Sequence, residues 1–262
     1  MLRIDCRQIS KDDIAACDEI HRACDALARE GFVVLDHAFP PQTISALKAE
    51  FDRRHQSGLH GGTFEQAVAV GNGRIRLPID LSGVFGSPEI YANPFVVALV
   101  RRALERDAIL ETLGVVLSFD GSKAQHVHRD GAPLFGSAIA PLLPAHALTF
   151  VVPLVEMNDL TGTTVVWPGS HRLLDRDGEV QPQALGVPLG SCALWDSRLY
   201  HGGASNRSGT HRPIVHGTYA RPWYRDPDNF ENQSQPRLSY GPAFLTGVPE
   251  EAGDFFARVR PQ

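Results

Sequence analysis

The chain has 262 residues, 43% of them hydrophobic, and a formal net charge of -5. That length can bury a substantial core without disulfide or metal staples. The mildly acidic balance, with no long basic run, excludes nucleic acid as an expected partner. The four cysteines, Cys6, Cys17, Cys24 and Cys192, form no CxxC pair. They read as small hydrophobes rather than as a disulfide framework.

The opening stretch MLRIDCRQISKDD lacks the apolar run of a signal peptide. Nowhere does the chain approach the ~18 apolar residues of a membrane span. The expected location is a reducing cytoplasm, without membrane contact. Residues 10–30 predict an amphipathic helix, with Ser10 as N-cap and Asp12 and Asp13 in its first turn. Ile14, Cys17, Ile20, Cys24 and Leu27 carry its period, and Gly31 ends it. FVVLDHAF predicts a strand, and Pro40-Pro41 opens a second helix. Residues 56–74, rich in Gly and polar side chains, predict a loop. NPFVVALVRRALER predicts a third helix over 93–106. Its basic cluster RRALER reads as a solvated helix face.

After that the texture changes. GVVLSF, ALTFVVPLV, GTTVVW, GSCALWD and IVHGTYA are short β-prone runs separated by Gly, Pro, Asp and Asn. Such runs predict a sandwich or jelly-roll-like barrel, and the preceding helices make the class α+β, with helices packed on one side. No linker is visible. The expected organisation is one domain over 1–262: a mostly helical part to residue 106, a jelly-roll core over 112–224 and a tail over 225–262.

The chemistry concentrates in three stretches. KAQHVHRD sets His126, His128 and Asp130 two residues apart each time, and in a strand these share one face. Two imidazoles and a carboxylate side by side suit a wet face or a cation. A single His-x-Asp is weak on its own. The second stretch strengthens it: His201 follows a strand and precedes two glycines, and Arg212 leads into IVHGTY, held extended by Pro213. Two imidazoles and one carboxylate can occupy one side of an octahedron, the facial arrangement of non-haem Fe(II) oxygenases. An arginine nearby can clamp a carboxylate. The third stretch, TGTTVVWPGSHR, is locally explained as a hairpin closing on a turn.

QHVHRDG, GTTVVWPGSH and HGGASNRSGTHR, in that order, resemble the phytanoyl-CoA dioxygenase family, and GFVVLDHAFP resembles that family's opening strand and turn. The likeness runs over about 31–224. It implies a double-stranded β-helix (jelly-roll, cupin-like) core and an Fe(II)- and 2-oxoglutarate-dependent dioxygenase. By resemblance, His128, Asp130 and His201 match the iron ligands, and Arg212 matches the partner of the distal carboxylate of 2-oxoglutarate. Thr164 and Gln125 match residues near the same cosubstrate, and either Arg74 or Arg76 matches a basic residue of an earlier strand. The chain departs from the pattern at Thr161, where an asparagine is usual, and at Gly203, where some members carry a hydroxyl.

His126, Asp196, Trp195 and His216 are candidates for substrate contact or for bracing the site. Of the other histidines, His171 reads as structural and His211 as turned away from Arg212. His21, His37, His55, His60 and His146 show no pattern. Trp195 and Trp223 read first as core. The implied reaction releases succinate and CO2 while oxidising a C–H bond of a small molecule, with O2 as second cosubstrate. The carboxylate ligand argues for hydroxylation, desaturation or ring formation over halogenation. The expected substrate is a natural-product or amino-acid-like molecule, because no basic cluster suits a coenzyme A tail. Its expected walls are residues 56–74, 131–146 and the tail after Trp223. Two rival readings are a zinc hydrolase, with a His2Asp site plus water, and a non-catalytic cupin-like binding module.

Overall fold

The computed structural model describes residues 1–176, 178–226 and 237–258. Strand β1 (Arg3–Asp5) leads to a 3-10 segment over Lys11–Ala16 and then helix α1 (Asp18–Glu30). The helix expected from residue 10 therefore begins later. Its N-cap is Cys17, with no side-chain cap, and its end is as read: Gly31 takes φ 87 and donates its N–H to the Leu27 carbonyl. A left-handed residue closing a helix favours glycine. The space is also tight, since a Cβ there would meet the His171 ring at 2.6 Å.

Strand β2 (Phe32–Asp36) and helix α2 (Pro41–Arg54) follow as read. The stretch 56–74 does not stay a loop. It forms a short helix α3 (Gln56–Leu59) and strand β3 (Val68–Gly71), which turns through Asn72-Gly73 into β4 (Arg74–Pro78). Gly73 has φ 69, and Asn-Gly between β-prone residues is a hairpin signal. The glycines and polar residues that make this turn also give the segment the composition of a loop. A short helix α4 (Pro88–Tyr91) precedes α5 (Pro94–Leu104), where the Asn93 side chain caps the N–H groups of Phe95 and Val96.

The remaining strands are β5 (Ile109–Ser118), β6 (Ala147–Pro153), β7 (Thr164–Val166), β8 (Gln183–Leu185), β9 (Cys192–Asp196), β10 (His201–Gly203) and β11 (Arg212–Ala220). Among the described residues they form two sheets. The larger runs β1-β2-β9-β6-β11-β5-β4-β3 and the smaller β10-β7-β8. Every pairing is antiparallel except β1 with β2. This is the α+β jelly-roll expected. The first 106 residues also supply four of the eight strands of the large sheet, which their helical texture concealed.

Alternation along the strands sorts side chains into two layers. Val33, Leu35, Leu148, Phe150, Leu194, Val215 and Tyr219 pack with α1, α2 and α5 residues in the larger core. Phe32, Val34, Val151, Ala193, Trp195 and Ile214 face the other way, toward Val166 and Leu185 of the small sheet. The inner layer is where the site lies. Cys6 and Cys192 are buried and unbridged, while Cys17 and Cys24 are half-buried.

One buried histidine has a consequence for stability. His146 is fully buried with its ring 4.4 Å from that of Tyr224, and neither ring nitrogen has a hydrogen-bond partner among the described residues. Burial pushes its pKa from 6.5 down to about 4. The unfolded chain therefore binds the extra proton between those values, so folding stability falls as pH drops through that window. The loss attributable to this group is up to about 3 kcal/mol. Thermal unfolding of His146→Phe is expected to depend less steeply on pH between 6.5 and 4 than the wild type; identical profiles would contradict this.

Candidate metal centre and cosubstrate pocket

The stretch expected as a strand carrying His126, His128 and Asp130 is extended but makes only a single bridge, His128 opposite His201. That bridge is reciprocal: each residue's N–H donates to the other's carbonyl at 2.9 Å. It sets the two rings 4.4 Å apart. One ligand atom from each of His128, Asp130 and His201 lies within 4.8 Å of the others.

The ring orientations follow from local bonds. His128 Nδ1 lies 2.9 Å from the His126 carbonyl and His201 Nδ1 lies 3.0 Å from the Leu199 carbonyl. A carbonyl can only accept, so both Nδ1 atoms carry the proton and both Nε2 atoms keep a lone pair. His201 Nε2 lies 3.4 Å from Asp130 Oδ1. The other carboxylate oxygen, Oδ2, accepts from Thr149 Oγ1 at 2.6 Å and Trp195 Nε1 at 2.9 Å. Bonds of this kind to a ligand's rear atom fix its direction.

The electrostatics match. Burial works to raise the Asp130 pKa, but the imidazoles of His201, His216 and His128 outweigh it and hold the carboxyl well below its usual range. Burial works to lower the His201 pKa, and Asp130 overcomes it and raises it. Burial pushes His128 down, aided by His201. Two imidazoles and a carboxylate at this spacing form a donor set that a divalent cation satisfies.

A cavity of about 480 Å3 opens in front of this cluster. Arg212, Ile214, His216 and Thr218, the inward residues of β11, line one wall. Arg212 is 2% exposed, and its Nε and Nη1 have no partner among the described residues. Burial lowers its pKa to about 10, and Arg74 adds to the effect. A buried guanidinium without acceptors is costly, and a carboxylate in the cavity is the acceptor that fits it.

The other expected site residues fall out unevenly. Thr164 is buried and lines the cavity. Gln125 also lines it, but its amide donates to the Val70 carbonyl and accepts from Gly203 N–H, tying β3 to β10. Gly203 suits that place, since a Cβ there would sit 2.8 Å from Gln125 Oε1. Of the two basic candidates on β4, Arg76 lines the cavity. Arg74 instead donates to the carbonyls of Lys123 and Ala204.

His126 is exposed at the cavity rim, its ring 5.2 Å from that of His128. His216 is a wall residue whose pKa burial depresses to about 4. Trp195 braces Asp130 and packs 5.0 Å from the His201 ring. Asp196 is turned away from the cavity. It holds Arg198 in a buried pair at 2.7 Å and accepts the Arg198 N–H, shaping the turn that delivers His201.

His171 is structural, with Nε2 3.1 Å from the Ala28 carbonyl. Trp223 is a correction: it is 61% exposed rather than core. The expected wall over 56–74 contributes Ala69, Val70 and Gly71, and the tail contributes Tyr224 and Asp226. Residues 131–146 do not line the cavity, and tail residues 227–236 and 259–262 lie outside the described residues. Thr149, Ser197 and Tyr224 were missed. Thr149 is marked by its inward register on β6 once the strands are paired, whereas Ser197 and Tyr224 lie outside the strands and are marked only by their place at the cavity.

Comparisons with known proteins give the family and the fold. The family model described as phytanoyl-CoA dioxygenase matches residues 27–214. The chain is 23% identical over 211 residues to the dioxygenase FrzG of a Cladobotryum species, covering 70% of this chain and 68% of that one. It is 34% identical over 109 residues to the dioxygenase aneA of Aspergillus aculeatus, covering 39% and 36%. Among solved structures, AviO1 of Streptomyces viridochromogenes Tue57 superposes with a TM-score of 0.60 at 19% identity, covering 80% of this chain and 98% of that one. The epimerase SnoN, in complex with Fe3+, alpha ketoglutarate and nogalamycin RO, superposes with a TM-score of 0.62 at 20% identity, covering 85% and 94%. These two likenesses speak to the fold. No described helix is long and apolar enough to cross a membrane. With the family model spanning most of the jelly-roll, including the clustered His128, Asp130 and His201, the chain belongs to the phytanoyl-CoA dioxygenase family of iron- and 2-oxoglutarate-dependent dioxygenases.

Proposed function

We propose that the chain acts as one oxygenase domain that hydroxylates an unactivated C–H of a small molecule. His128 Nε2, His201 Nε2 and Asp130 Oδ1 hold iron, and Arg212 receives the distal carboxylate of 2-oxoglutarate with Thr164 beside it. The observation that carries this reading is the pairing of two things in one cavity: a two-imidazole, one-carboxylate cluster and a buried arginine without an acceptor. When bound, iron and 2-oxoglutarate supply O2 activation, with succinate and CO2 released as the C–H is oxidised.

The protein's own part is positional. The His126 and Leu199 carbonyls fix which nitrogen of each histidine faces the metal. Thr149 and Trp195 hold the rear oxygen of Asp130, leaving the front one for the ion. Val116, Val151 and Ile214 give the cavity an apolar flank that keeps water away. Gln125 shapes the wall through its backbone bonds. A volume of about 480 Å3, shared with the cosubstrate, lies in the lower half of the ~300–1,000 Å3 typical of ligand pockets, and supports a small substrate over an acyl-CoA. The zinc hydrolase reading leaves Arg212 without a task.

The test is aerobic incubation with Fe(II), 2-oxoglutarate and a library of small natural-product-like compounds. The expected result is succinate formed together with a product heavier by one oxygen atom, labelled from 18O2. Hydrolysis that needs zinc and consumes no O2 would overturn the reading.

A further inference from the structure

The two histidine ligands sit on backbone that has little ladder to hold it. His128 lies between β5 and β6, outside the strands, and β10 is three residues long. One isolated bridge, His128 with His201, pairs them. So short a pairing is marginal by itself. Two side chains reinforce it. Arg74, on β4, is 1% exposed. Its Nη1 donates to the Lys123 carbonyl at 2.6 Å and its Nη2 to the Ala204 carbonyl. One guanidinium thus spans the chain ahead of His128 and the chain after His201. Gln125 makes the second tie. Its Nε2 donates to the Val70 carbonyl at 2.7 Å, and its Oε1 accepts from Gly203 N–H at 2.9 Å. The two side chains meet at Gly203, where a Cβ would lie 2.8 Å from Gln125 Oε1 and 3.3 Å from Arg74 Cζ. Strand β4 is itself fixed in the large sheet, with Arg74 paired to Ser118 of β5.

We propose that Arg74 and Gln125 are positioning residues that set the spacing of His128 and His201, and through it the affinity of the metal site. The inference rests on the iron reading and deepens it. A guanidinium fork is planar and rigid, so its two carbonyl bonds hold two backbone segments at a fixed separation. Such charge-assisted bonds are the strong ones. Were either segment to drift outward, a buried cation would lose an acceptor, which is costly. The Gln125 amide adds a neutral brace from β3 to β10. Arg74 therefore acts through the backbone rather than on the cosubstrate. Gly203 gains a reason as well. The hydroxyl side chain that some family members carry at this place would need the space that Gln125 and Arg74 occupy. Any Cβ there would displace the flexible end of Gln125 first and open the clasp.

The test has two readouts. Fe(II) is titrated calorimetrically into the anaerobic protein. Hydrogen exchange over 123–131 and 199–206 is followed by mass spectrometry in the metal-free protein. Arg74→Met is expected to raise the Fe(II) Kd by about tenfold or more, as when groups supporting a metal ligand are lost, and to speed exchange in both segments. Arg74→Lys keeps a cation but not the fork, and falls between. Gly203→Ala removes no charge and is expected to weaken iron binding and speed exchange in the same way. Because both substitutions open one clasp, the double variant is expected to bind iron no more weakly than the weaker single one. If Arg74→Met fails to fold, Arg74→Lys and Gly203→Ala decide alone. A lower unfolding temperature with Fe(II) affinity and exchange unchanged, measured where the variants are folded, would overturn the inference. So would unchanged iron affinity with a higher 2-oxoglutarate Kd, which returns Arg74 to the cosubstrate. Failure of the iron reading shows separately, as a wild type that binds no Fe(II), and would remove the inference with it.

Discussion

Asp130→Ala is expected to abolish Fe(II)-dependent turnover of 2-oxoglutarate, with a fall of more than about 100-fold. Loss of a bracing partner of a metal ligand typically costs 10–100-fold, and loss of the ligand itself exceeds that. The variant removes the one anionic donor of the cluster, and leaves the Thr149 hydroxyl and Trp195 N–H without their acceptor. Each buried donor so orphaned costs about 1–3 kcal/mol, so a lower unfolding temperature accompanies the lost activity. Asp130→Asn separates the two effects. Its amide oxygen can still accept from Thr149 and Trp195, so the fold is kept while the charge is gone. Iron binding measured by calorimetry is expected to be weak in both variants, with only the alanine variant clearly destabilised. Retained iron affinity in Asp130→Asn would contradict the assigned role.

The second large effect is at Arg212. Truncating one partner of a buried, hydrogen-bonded charge pair costs about 2–5 kcal/mol, which corresponds to a rise of roughly 30-fold or more in the 2-oxoglutarate Kd for Arg212→Met. The sign on stability is opposite. Without cosubstrate the wild type carries a buried guanidinium with two unpartnered nitrogens, and methionine relieves it. The variant is therefore expected to unfold at a temperature equal to or above that of the wild type without 2-oxoglutarate, and to gain far less when 2-oxoglutarate is added. Arg212→Lys keeps a charge but not the forked geometry, and falls between. Fluorescence-monitored unfolding with and without 2-oxoglutarate checks all three proteins. Equal ligand-induced shifts in wild type and Arg212→Met would contradict the assignment.

Where the sequence was legible, it was so for local physical reasons. Gly31, the Pro40-Pro41 helix start and the short β-prone runs of β5, β6, β9 and β11 carry their structure in short-range chemistry. The spacing of His128 and Asp130 and the setting of His201 single out three residues that the fold brings together. What stayed hidden depends on register. Trp195 looks like a core residue until β9 is placed beside β2 and β6, which turns its Nε1 to Asp130. Ser197 and Tyr224 have no motif, and their convergence arises only when the chain beyond β11 folds back past Gly131. The β3–β4 hairpin was masked by its own glycines, which make the turn but resemble a loop in composition.

The most direct test of the central claim is anaerobic titration of the purified protein with Fe(II) and 2-oxoglutarate, followed by visible absorption. The account predicts a weak metal-to-ligand charge-transfer band that saturates with both components, vanishes in His128→Ala, and needs far more 2-oxoglutarate in Arg212→Met. No band, together with tight zinc binding and no O2 uptake, would contradict it.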